Sequence, residues 1–283
     1  MRSALLKYII LSLLILVFSG CSRTRLVYNY LDLFLLWKID DYITLSDEQE
    51  DRVKQQLQFL LEWHRNDQLP RYIQFVDQIQ KNTQTDMTAE HFQQYFETIE
   101  AFLRDIMIQA EPDISQLLFR LDREKQNELI KNLSEKQEQL EKKYLKLNQE
   151  KYRKKRIKRT EKLLMRFIGK LTTKQKKILA GWADNMDPSR ELWLENRRAW
   201  QSHFQKQLSK DKPYTCKQKE LKRLLINPEL FRSNEYDKVM KQNQLTIFSM
   251  LEAILLQLTE KQKYHLNKEL GKIKNDLVSL LKE

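Results

Sequence analysis

The sequence predicts an all-α protein: an elongated antiparallel bundle of about nine or ten helices, one of them long and basic. Three observations carry this. Only 4 glycines occur in 283 residues, and downstream of Gly20 these are Gly169, Gly181 and Gly271. Leu, Lys, Gln and Glu, all good helix formers, are abundant. Apolar residues recur three and four apart, the period of a helix face. The strings LSDEQ (45–49), LSEKQ (133–137), LTTKQ (171–175) and LTEKQ (258–262) place Ser or Thr three residues before Gln. That spacing lets side chain and backbone cap each other reciprocally at a helix start. Val53, Leu179 and Leu266 follow three of the caps by seven residues as core positions, whereas Ser134 has Glu141 there, which makes LSEKQ the outlier.

Residues 26–43, LVYNYLDLFLLWKIDDYI, are the first predicted helix. Leu31, Leu35, Ile39 and Tyr42 share a face that Phe34 and Leu36 widen. Asn29, Asp32 and Lys38 make the run too short and polar to cross a bilayer. Burial by neighbouring helices is the expected environment; the alternative is a helix lying on a membrane. A buried Asp32 would require a hydrogen-bonding or cationic partner.

The next helix, 46–65, carries Val53, Leu57, Leu60, Leu61 and His64 on one side. In WHRNDQLPRY (63–72), Trp63, His64 and Arg65 should end it, with Asn66 as a left-handed cap and Pro70 restarting the chain. Tyr72, Ile73, Val76 and Ile79 then form a stripe. Thr88 opens a helix lined by Phe92, Tyr95, Ile99, Phe102 and Ile106, and Glu111-Pro112 reads as a break before 113–131.

Residues 134–170 read as one long helix. Within it, 151–162 (KYRKKRIKRTEK) hold eight basic side chains against one acid, so the segment should stay exposed. Its alternatives are a solvated face or a contact surface for an anionic partner through Arg153, Lys154, Lys155 and Arg156. Thr172 starts another helix, and Asp187-Pro188 a further one, in which Trp193, Arg197 and Trp200 share a face. A short helix near 216–226 and two final helices, about 234–257 and 259–281, complete the chain. Residues 26–283 accommodate one elongated domain or two packed halves, 26–150 and 160–283.

The N-terminus predicts an address. Arg2 and Lys7 precede the apolar run 8–18, and Ser19-Gly20 lead to Cys21, the pattern of a lipoprotein signal peptide over 1–20. The Cys21 thiol is the predicted lipid attachment, followed by a short linker over 21–25. Ser22, where inner-membrane retention typically needs Asp, favours the periplasmic face of the outer membrane. Removal of Arg2 and Lys7 lowers the formal net charge from +12 to +10. Export argues against nucleic acid as partner, leaving anionic lipid, cell-wall polymer or an acidic protein. Cys216, the second of 2 cysteines, then has no intrachain partner; a small buried residue is expected, with a free thiol or an intermolecular bridge as alternatives.

No reaction is legible. Histidines 64, 91, 203 and 265 are scattered, without metal-ligand spacing, and no serine sits in a nucleophile context. No cofactor, metal site or catalytic residue is therefore expected, and the oligomeric state is open. Trp63, His64, Arg65 and Tyr72 form either a well-made turn or a recognition corner, since Trp, Arg and Tyr are common interface anchors.

Together the lipobox, RLVYNYLDLFLLWKIDDYI (25–43), EWHRNDQLPRY (62–72), ELWLENRRAW (191–200) and the terminal LTEKQ helix pair give a recognisable order. The chain resembles a family of uncharacterised Gram-negative lipoproteins classed as a domain of unknown function. Leu45–Gln49, Leu171–Gln175 and Leu258–Gln262 are also similar to the LTxxQ motif of the periplasmic proteins Spy and CpxP. The expected function is binding, as a scaffold or accessory factor of the envelope. A chaperone-like holdase is the alternative, and an envelope enzyme is less favoured.

Overall fold

The computed structural model describes residues 28–209 and 214–282. The predicted signal peptide, Cys21 and the 21–25 linker lie outside them. The described chain is an all-α helical bundle. Its helices are α1 (Leu31–Asp40), α2 (Asp47–Trp63), α3 (Leu69–Asn82), α4 (Ala89–Arg120), α5 (Arg123–Leu145) and α6 (Gln149–Ile168). They continue as α7 (Thr173–Asp184), α8 (Arg190–Ser209), α9 (Tyr214–Ile226), α10 (Asn234–Leu255) and α11 (Glu260–Leu280). A π-helical turn, His64–Gln68, joins α2 to α3, and a 3₁₀ turn, Pro228–Phe231, follows α9.

Two hydrophobic cores hold the bundle together. One gathers Leu69, Tyr72 and Val76 of α3, Phe102 of α4, Leu164 and Ile168 of α6, Leu179 and Trp182 of α7, Ile254 of α10 and the Leu266–Leu280 face of α11. The other gathers Ile43, Leu118 of α4, Leu129 and Leu133 of α5, Trp200 and Phe204 of α8, and Leu221, Leu224 and Leu225 of α9. Both draw on residues before 150 and after 160. The 32-residue α4 runs from one core to the other.

Several boundaries differ from those the sequence predicts. Glu111-Pro112 does not break α4, which continues through it to Arg120. A mid-helix proline costs about 3 kcal/mol, but Phe102, Leu103 and Ile106 before it and Leu118 after it are all buried. The long basic helix is two helices. Asp122 caps α5, accepting from the Lys125 N–H at 2.8 Å, and Asn148 caps α6, accepting from the Lys151 N–H at 2.9 Å. Ser134 of LSEKQ therefore sits inside α5 and caps nothing. At the other end Asp187-Pro188 does not start α8, which begins at Arg190. Asp187 is instead pinned to the buried Asn243, whose side chain accepts from its N–H at 2.8 Å and donates to its carbonyl at 3.1 Å.

No break occurs at Asn66-Asp67 either. The Leu69 N–H reaches the His64 carbonyl, five residues back, and among the described residues no non-glycine has positive φ. Pro70 explains the widening: it lacks an N–H, and its ring would collide with the carbonyl of Asn66 in an ordinary α-turn. Gly169, at φ 74°, is the one described glycine with positive φ, and it ends α6 in a conformation closed to side-chain-bearing residues.

Candidate functional site

Three regions concentrate the polar chemistry: the corner around the π turn, the junction of α7 with α11, and the outer face of α6.

At the corner, the Tyr28 hydroxyl and His64 Nδ1 are hydrogen-bonded at 2.9 Å, and the Tyr72 ring meets the imidazole edge-on at 5.4 Å between centroids. Phe102 packs on Tyr72 at 4.7 Å. Dense packing around the imidazole, despite some residual exposure of the residue, pushes its pKa down to about 4. Burial pushes Tyr28 up to about 12 against the opposing charge of Arg65, and it also raises Tyr72, whose hydroxyl has no hydrogen-bond partner among the described residues. Arg65 lies on the rim, its guanidinium 5.4 Å from the Tyr28 ring and donating to Asn29 at 3.3 Å. Trp63 is half-buried, packed with Ile99 onto the cluster of Leu103 and Ile106. Of the four corner residues, Tyr72 is thus buried, while Trp63, His64 and Arg65 keep partial access.

The α7–α11 junction joins two of the repeated strings. In each, the hydroxyl of Thr172 or Thr259 accepts from the N–H three residues on, and the glutamine side chain returns to the threonine N–H. The two glutamines also clasp each other. Gln175 Nε2 donates to Gln262 Oε1 at 3.0 Å, and Gln262 Nε2 donates to Gln175 Oε1 at 2.9 Å. Their second amide hydrogens reach the carbonyls of Gln257 at 3.3 Å and Lys170 at 3.0 Å. Gln175 is 0% exposed and Gln262 5%. A buried amide pair with every donor and acceptor used is favourable only because none is left over.

On α6 the four predicted contact residues divide. Arg153 forks onto Asp184, donating from Nη2 to Oδ2 at 2.8 Å, and holds that carboxyl below its usual range. Lys154 pairs with Glu150 at 2.6 Å, and the Arg156 guanidinium lies 5.1 Å from the Tyr152 ring. Lys155 is exposed and makes no ion pair among the described residues. The same holds for Lys151, Lys158 and Lys162. These four stand at i, i+4, i+7 and i+11, one continuous cationic stripe spanning about 16 Å. Lys151, Lys158 and Lys162 were missed as site residues, although their spacing alone places them with Lys155.

Other predicted features fall into place around these. Arg197 is buried over the Trp193 ring at 5.0 Å and donates to Gln137 at 2.8 Å, whereas Trp200 stacks on Phe204 rather than on Arg197. Cys216 is exposed, not buried. Among the described residues no group of His, Cys, Asp and Glu converges as a metal site would require. No helix there is long and apolar enough to cross a membrane.

Fold and surface define a helical-bundle protein with two cores and a one-sided cationic helix. The chain belongs to a family of unknown function, DUF6279, whose model matches residues 41–237. That span includes α6 and the His64–Tyr72 side of the corner, but not Tyr28 or Asn29. No curated protein and no solved structure matches the chain.

Proposed function

We propose that this is a lipid-anchored envelope protein, held through Cys21 at the periplasmic face of the outer membrane, that works by binding. The α6 stripe carries this reading. Four lysines project along one line, and the segment's only acid, Glu161, pairs with Lys176 of α7 at 3.0 Å. Several unpaired like charges in a row repel one another and favour a partner that supplies matching anions. The partner proposed is an acidic protein segment, extended enough to follow the stripe. Reversing Lys151, Lys155, Lys158 and Lys162 to Glu should abolish binding of a polyglutamate peptide to the full chain and leave thermal unfolding unchanged. Equal binding by the reversed and parent chains would remove the stripe as the contact surface. Anionic vesicles in place of the peptide separate a lipid headgroup from a protein partner. Anchoring has its own test: Cys21→Ser should release the chain from the membrane or leave it unprocessed.

A further inference from the structure

We infer that α1 is a second membrane contact, a short helix whose aromatic face lies in the headgroup region beside the lipid anchor. The inference rests on the Cys21 anchor proposed above. Helix α1 was expected to be covered by its neighbours, but only one side is. Leu31 and Leu36 are buried, while Tyr30, Leu33, Phe34 and Trp37 are exposed, with Trp37 at 57%. Those four positions are i, i+3, i+4 and i+7, so they form one face. Three large apolar side chains aligned on one face of a ten-residue helix, continued by Tyr30 at its N-cap, differ from the singly scattered apolar residues of an ordinary surface.

The residue types and the reach identify what covers this face. Trp and Tyr concentrate at membrane–water interfaces, where an apolar ring with a polar atom suits the headgroup level. Lys38 Nζ lies 3.9 Å from the centre of the Trp37 ring and pairs with Asp41 at 3.0 Å, which places a polar, charge-balanced edge beside the apolar face, as an interfacial helix requires. Tyr30 follows Cys21 by nine residues, a tether of at most about 30 Å when fully extended. An acyl chain in the bilayer therefore keeps this face close to the lipid surface at all times. With Asp32 and Asp40 on the same helix, net anionic attraction is absent, so insertion should depend on apolar burial and persist in high salt. This distinguishes α1 from α6.

The test uses the purified full chain reconstituted into phosphatidylethanolamine–phosphatidylglycerol vesicles, some with brominated acyl chains. The fluorescence difference between parent and Trp37→Phe isolates Trp37 from the other four tryptophans. Bromine should quench the Trp37 component by at least half, equally at low and high salt. Dissolved iodide should lose access to it when vesicles are present. An unquenched Trp37 that iodide still reaches would overturn the proposal. So would a Trp37 shielded from iodide but untouched by bromolipid, which would mean that protein, such as a second copy, covers the face. Mass spectrometry of the same sample keeps the two readings apart. Lipid on Cys21 with unquenched Trp37 defeats this inference alone; quenched Trp37 without lipid on Cys21 defeats the anchor alone.

Discussion

The strings LTTKQ and LSEKQ have nearly the same composition and opposite roles. In the first, Thr172 caps α7, Leu171 is buried and Gln175 is locked against Gln262. In the second, Ser134 lies mid-helix in α5, and the buried Gln137 serves a different network, accepting from Arg197 and donating to Glu141 at 2.7 Å. A capping box works only where the chain enters the helix with extended backbone. Thr172 does so at ψ 164°, but α5 is already committed by Asp122 twelve residues before Ser134. Five residues of motif thus specify an opportunity, and the preceding chain decides whether it is used. LSDEQ falls between the two, with a complete capping box at Ser46 but an exposed one.

Graded substitutions can break this contrast. The largest effect should come from Gln175→Ala, which removes half the capping box and leaves Gln262 and the Gln257 carbonyl without their partner. A loss of about 3 kcal/mol is expected from urea unfolding midpoints. In a double-mutant cycle, Gln175→Ala and Gln262→Ala should couple by about 1–3 kcal/mol. Additive effects would mean that the two strings act as separate caps.

The next effect sharpens the comparison by pH, because neither glutamine of the clasp titrates and His64 of the π-turn corner does. His64 takes its proton near pH 4 in the folded chain and near 6.5 when unfolded. Between those values the unfolded chain binds more protons, so this part of the stability is whole above pH 6.5 and is lost as pH falls toward 4. About 2 kcal/mol should disappear over that window in the parent beyond what His64→Gln loses, read as the difference between their pH–stability curves. Parallel curves would show a solvated imidazole.

Smaller still is Ser46→Ala, an exposed cap, at about 1 kcal/mol. Ser134→Ala should lie within about 0.5 kcal/mol of the parent, on the stabilising side, since alanine suits a helix interior better than serine. A loss at Ser134 as large as at Ser46 would contradict the position of Ser134 inside α5.

Much of this was readable from local pattern. The caps at Ser46, Thr88, Thr172 and Thr259 follow from residue type and spacing, and the core positions seven residues on, Val53, Leu179 and Leu266, are buried as the periodicity requires. The α6 stripe is equally local. What escaped depends on contacts between distant segments. Nothing in either string alone couples Gln175 to Gln262, 87 residues later. Pro112 and Pro70 read as breaks because proline weakens a helix locally, while the burial that carries the helix past it is tertiary. The face of α1 escaped for a related reason: the helix is apolar nearly all round, so its sequence does not say which side is covered.

The π turn has a consequence for how the chain tolerates change. An α-helix advances about 100° per residue, so the single extra residue held in the wide turn acts as a phase shift between α2 and α3. Tyr72 and Val76 fill one core because of that offset. Deleting one residue between His64 and Gln68 would preserve helicity and every propensity, yet it would rotate all fourteen residues of α3 by more than a quarter turn. The segment behaves like a reading frame: substitutions within it are local events, and a deletion rewrites everything that follows until the next loop.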